Sequence, residues 1–162
     1  MHKAEDLLEI QRRTHTNLKA LLQHCDQFSS EELNREIGGF GYPTVRLQFH
    51  HEISCEQYWI GVLQGRMEVD EDDPKYPTIE SLENYRQEIF QSTANYIQSS
   101  SVEELNTARP MITWGNKEKI LIPAHVFLRT QTHYYHHQGQ IAAMCRLLGK
   151  PIPPGLDYPI TQ

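Results

Sequence analysis

The sequence predicts an all-α protein, a four-helix bundle with long crossover connections. Three observations carry that expectation. Four long segments repeat apolar residues at helical spacing, stretches rich in Gly and Pro punctuate them, and no internal repeat or low-complexity tract competes with a bundle. With 162 residues, the chain can bury a core without disulfides or a structural metal, so residues 1–162 are read as one domain.

The first helix runs from Lys3 to about Cys25, with Leu7, Ile10, Leu18, Leu21 and Leu22 on its apolar stripe. Ser29 stands three residues before Glu32, a capping-box pattern for a short helical turn, and residues 38–43 (GGFGYP) then break the chain into a loop. Thr44 is placed to N-cap the second helix, which extends to about Gln64. Its face is traced by Leu47, His51, Ser54, Tyr58 and Val62 and widened by Phe49, Ile53, Ile60 and Leu63.

An acidic, Pro-containing connection from Glu68 to Pro77 leads to the third helix, from about Ile79 to Gln98. Ser101 and Glu104 form another capping-box pair. Between Arg109 and Ile122 the pattern changes: Met111-Ile112-Thr113-Trp114, the turn pair Gly115-Asn116 and Ile120-Leu121-Ile122 fit a short hairpin at about 110–122 or an irregular extended loop. Pro123 suits the first position of the fourth helix, which continues to Leu148 and stops at Gly149 with Pro151 beyond. Gly139 inside it suggests a close helix contact.

Composition excludes several classes. A formal net charge of −6 without a Lys/Arg cluster argues against a nucleic-acid partner. No apolar run is long enough to span a bilayer, and the N-terminal residues lack the order of a signal peptide, so a cytoplasmic protein with no membrane partner is expected. Cys25, Cys55 and Cys145 are widely spaced and read as reduced, mostly buried thiols.

The chemistry is concentrated in the fourth helix. Its stripe Val126, Thr130, His133, His137, Ile141, Met144, Leu148 puts two histidines where core hydrophobes belong. Buried imidazoles without partners cost about 1–3 kcal/mol per unsatisfied group, whereas a metal satisfies one nitrogen of each ring. Residues four apart on a helix are neighbours, so His133 and His137 can aim at one ion. A third ligand comes from His50-His51, with His51 the better placed because it shares the line from Leu47 to Tyr58. His136 falls on a neighbouring stripe with Arg129, Thr132, Gln140 and Ala143 and is read as a rim residue. His2, His15, His24 and His125 lack partners at ligand spacing and are read as surface or cap residues.

Three imidazoles suit one divalent ion, Zn²⁺ or Ni²⁺ first, with Fe²⁺, Co²⁺ or Mn²⁺ as alternatives, and leave a position for water or a small-molecule substrate. The reaction classes then available are hydrolysis and thiol transfer. No HExxH motif supplies a base. Glu52, Glu56 and His136 are the catalytic candidates, and Cys55, one turn after His51, is either a fourth ligand or a small core thiol. Trp59, Trp114, Tyr134 and Tyr135 fit core packing, a dimer face or the wall of a pocket.

Taken together, His51, Glu56, Tyr58-Trp59, the run from His133 through His137-Gln138-Gly139-Gln140-Ile141, Leu148-Gly149-Lys150-Pro151 and Asp157-Tyr158 resemble the DinB-like (damage-inducible) family over most of the chain. The resemblance implies a four-helix bundle, usually a homodimer, in which His51, His133 and His137 bind a divalent metal. Gln138 stands where Arg is usual, which puts in doubt any anion-binding role of that position. The wider DinB and YfiT-like group includes enzymes using mycothiol, bacillithiol or related low-molecular-weight thiols. It thereby implies a metal-dependent thiol (S-) transferase or detoxification enzyme; a metal-dependent hydrolase and a non-catalytic metal-binding stress protein are the alternatives.

Overall fold

The computed structural model describes residues 1–67 and 69–160. Four long helices make the frame: α1 (Ala4–Cys25), α3 (Val45–Leu63), α4 (Ile79–Ser99) and α6 (Pro123–Leu147). Two short helices, α2 (Ser30–Leu33) and α5 (Val102–Asn106), lie in the connections, as does a hairpin of β1 (Arg109–Thr113) and β2 (Lys117–Leu121). Glu68, where the predicted acidic connection begins, lies outside the described residues.

The helix starts are set by the side chains that the sequence singled out. Ser29 caps α2 with Glu32, and Ser101 caps α5 with Glu104, each as a reciprocal capping box. Thr44 accepts from the Leu47 backbone N–H at 3.1 Å and opens α3. Thr78 does the same for α4, in a box closed by Ser81. Pro123 occupies the first turn of α6, and Gly149, at φ 79°, ends it in the left-handed conformation that glycine adopts without steric cost. The helix therefore stops at Leu147, one residue earlier than its apolar stripe.

Each long helix packs chiefly on two others: α3 on α4 and α6, and α1 on α4 and α6. Helices α1 and α3, consecutive long helices in the chain, thus stand diagonally, as do α4 and α6. The α1–α3 and α4–α6 connections must cross the bundle, which is why they carry α2, α5 and the hairpin. The hairpin pairs antiparallel from Arg109 with Leu121 to Thr113 with Lys117, around a tip in which Gly115 and Asn116 both take positive φ.

Apolar burial falls into clusters. One gathers Leu18, Leu22, Phe49, Ile53, Leu82 and Met144; another packs Tyr58, Val62 and Val126 under Met111 of the hairpin; a third joins Leu7, Ile97, Leu105 and Phe127. Cys25 and Cys145 are fully buried in the first, with their sulfurs 3.7 Å apart between α1 and α6. Gly139 departs from expectation, because a Cβ built there meets nothing within 4 Å. It is exposed rather than a point of close helix approach. Among the described residues no helix is long and apolar enough to cross a membrane.

Candidate metal centre

The second turn of α3 and the middle of α6 face each other, and their contact brings the predicted histidines together. The His51 and His133 Nε2 atoms are 3.3 Å apart. The His137 ring lies beside both, with centroids 4.7 Å from His51 and 4.4 Å from His133. Cys55, one turn after His51, puts its sulfur 3.5 Å from His51 Nε2. His51, Cys55 and His133 each offer an atom to a group whose members all lie within 4.8 Å of one another, and such a group can hold a metal ion.

The spacing can be tested against coordination chemistry. Tetrahedral bonds of about 2.0–2.1 Å to nitrogen set neighbouring nitrogens about 3.3 Å apart, and a bond of about 2.3 Å to sulfur sets nitrogen and sulfur about 3.5 Å apart. Both observed separations match, so His51, His133 and Cys55 fit a small divalent cation, while His137 lies outside this donor group with its ring beside two of its members.

Electrostatics point the same way. Burial, followed by the proximity of the other imidazoles, lowers His51 to about 4 and His137 to about 3. His133 falls to about 4 through burial and the Arg129 guanidinium. The rings stay neutral at pH 7, the form that coordinates. His137 directs its Nδ1 at Gln48 Oε1, 2.6 Å away, so Nδ1–H donates and Nε2 keeps its lone pair. Gln48 in turn donates to the Tyr42 carbonyl at 2.8 Å and to Gln140 Oε1 at 3.1 Å. Tyr42 stacks on His51, with centroids 3.8 Å apart.

A cavity of about 590 Å³ opens in front of this cluster, lined by His51, Cys55 and His133 and walled by Tyr42, Tyr58, Trp59 and Trp114. Trp59 and Trp114 are therefore cleft walls. Tyr134 is buried in the interior, and Tyr135 packs towards Tyr158 of the C-terminal segment. Cys55 is not a core thiol: it is half-buried at the cleft, and burial pushes it up to about 11.

The catalytic candidates separate. Glu52 is buried behind the cluster with neither carboxylate oxygen hydrogen-bonded, and burial drives its pKa well above the usual value. Glu56 is buried too, where it accepts from Tyr134 Oη at 2.5 Å and Thr93 Oγ1 at 2.6 Å and meets His15 Nε2 at 2.9 Å. Neither acid lines the cleft. His136 is exposed at the rim, within 3.0 Å of Gln140 Nε2.

Three sequence readings need correction. His15, expected at the surface, is 2 % exposed and anchors the Glu56 network, because that face of α1 turns into the bundle against α4 and α6, with Phe90 and Tyr134 on its ring. His50, judged the less inward of the pair, is more buried than His51; it packs against the stacked pair Tyr76 and Tyr85 while His51 meets α6. Position 138 lies away from the cleft, and Gln138 lines a groove against the C-terminal segment. The cation in the cleft is Arg129, one helical turn before His133, with its guanidinium 5.0 Å from the Trp59 ring. The i, i+4 spacing of Arg129, His133 and His137 was the signal that could have found it.

No curated protein matches the chain closely enough to count as a relative. The family comparison is positive over the full length: the model of the DinB family matches residues 1–162, and the chain belongs to the DinB family.

Proposed function

We propose that His51, His133 and His137 hold one divalent cation, zinc or nickel foremost, and that the protein is a metal-dependent thiol transferase. The observation that carries the reading is the 3.3 Å approach of two neutral imidazole nitrogens, with a thiol 3.5 Å from one of them, at the floor of an accessible cleft. A bound divalent ion supplies Lewis acidity there and deprotonates a coordinating thiol at neutral pH. The chain's own residues supply the rest. Gln48 fixes the His137 tautomer, Tyr42 covers one face of His51, and the aromatic wall offers a contact surface to an incoming low-molecular-weight thiol and its electrophile.

Thiol transfer is favoured over hydrolysis by the placement of the acids. Hydrolysis at such a site is aided by a carboxylate that takes a proton from water; Glu52 and Glu56 lie outside the cleft, and of the acids that line it, Glu71 and Asp73 on the α3–α4 connection, Asp73 is paired with Arg46 at 2.9 Å. A thiolate needs no such base at the moment of attack: the carbon–sulfur bond forms as the leaving group departs. Purified protein incubated with low-molecular-weight thiols and monobromobimane or chlorodinitrobenzene should form the thioether with release of halide, and lose that turnover on metal chelation. Metal-dependent cleavage of esters or amides without any thiol would replace this reading with a hydrolase, and inertness in both assays would leave a metal-binding protein without catalysis.

A further inference from the structure

We infer that the cleft selects planar aromatic carboxylates, with Arg129 as the anion-binding residue beside the metal cluster. The inference rests on the metal-cleft reading above and names the class of molecule that the cleft admits.

The wall is built of contiguous rings. Trp114, at the hairpin tip, stacks on Tyr58 with centroids 4.1 Å apart and planes 8° from parallel, and its backbone N–H donates to Tyr58 Oη at 2.8 Å. Tyr58 meets Trp59 edge to face at 5.1 Å. Arg129 closes the row over Trp59. Such a surface gains little from a flexible aliphatic chain and much from another flat ring, which stacks on it with offset geometry.

The charge at the end of the row sets the second requirement. Among the described residues Arg129 has no carboxylate partner, and its guanidinium, over the Trp59 ring in the lining of the cleft, carries the planar set of N–H donors that forks to two oxygens. The acids that line the cleft, Glu71 and Asp73, belong to the α3–α4 connection. Asp73 is paired with Arg46 at 2.9 Å. Arg129 is thus the cation in the lining of the cleft, and an aryl carboxylate lies with its anionic end there.

The chain contains two tryptophans, and both line this cleft. Their indole N–H signals in a ¹H–¹⁵N spectrum report directly on occupancy. Benzoate, benzamide and cyclohexanecarboxylate are titrated into zinc-supplemented and into EDTA-treated protein. Benzoate should shift both indole signals saturably in either state, more tightly than the other two. Arg129→Gln should weaken benzoate by about tenfold or more, the scale of a lost charge-assisted hydrogen bond, and leave benzamide unchanged. Arg129→Lys, which keeps the charge without the planar fork, should fall between. Equal binding of benzoate and benzamide, equal binding of cyclohexanecarboxylate, or benzoate affinity untouched by Arg129→Gln overturns the inference. Benzoate binding that needs zinc and ignores Arg129 overturns it while leaving the metal reading standing; failure of that reading shows separately, as absent metal in the untreated protein.

Discussion

Two polar clusters inside this bundle are built around histidines, and they are solved in opposite ways. Around His15 the imidazole meets a carboxylate, Glu56, which also accepts from Thr93 and Tyr134, while Arg86 stands 3.2 Å from the other ring nitrogen and is paired with Glu83. Every polar group there has its partner within the protein, and the cluster is closed. Around His51 the imidazoles have one another, Gln48 and a thiol, but no acid. Nitrogen lone pairs converge without a charge to match them. The first arrangement is complete as it stands; the second would be completed by a bound cation. Glu52 and Glu56, one turn apart on α3, show how narrow the difference is, since one buried acid is fully bonded and the other has no hydrogen bond.

The sharpest test of the comparison removes the ligands. His133→Ala with His137→Ala should take the metal content from about one equivalent per chain to none, measured by elemental analysis of chelator-free protein, while the fold persists by circular dichroism. Retention of the metal would mean that the histidine cleft is not its site. The opposite cluster should answer in stability instead. Glu56→Ala leaves His15, Thr93 and Tyr134 unpaired in the core and should cost about 3–5 kcal/mol in denaturant unfolding, with metal stoichiometry unchanged in the surviving fold.

That cluster also has a defined pH signature. Burial alone would raise Glu56, but His15, Thr93 and Tyr134 together hold it below its ordinary value of 4.5. A depressed carboxylate contributes stability that is present above the unfolded value and is lost as pH falls through the folded one. Glu56→Gln should therefore flatten the fall in stability below about pH 4.5 relative to wild type, and an unchanged acid limb would show that Glu56 is not held ionised. Gln48→Leu should act only on the cleft: with the His137 Nδ1–H left unanchored, metal affinity should drop about 10–100-fold by competition with a chelator. Thr93→Val should be the mildest, about 1 kcal/mol for one hydrogen bond to a carboxylate that keeps its other partners.

Much of this was legible in the residues. The capping boxes at Ser29 and Ser101, Thr44 before α3 and Pro123 with Gly149 around α6 are local devices, so their meaning does not depend on the rest of the fold. The i, i+4 pair His133 and His137 is local in the same sense. His15 was misread because periodicity assigns a face and says nothing of what the face meets. His50 and His51 were ranked by stripe alone, whereas the aromatic pocket of Tyr76 and Tyr85 that receives His50 comes from a distant connection and helix. Cys55 stood open between a ligand and a core thiol until the packing of α6 put His133 in the same group.

By itself, then, the sequence determined the helical frame, the ends of its elements and the membership of the chain in its family, since these follow from backbone hydrogen bonding, helical period and matched residues. Only the tertiary structure decided which buried polar groups are neutralised from within and which converge unpaired on a cleft. That distinction belongs to pairs of residues such as His15 with Glu56 and His51 with His133, 41 and 82 positions apart, and electrostatic balance between them exists only once the helices have packed.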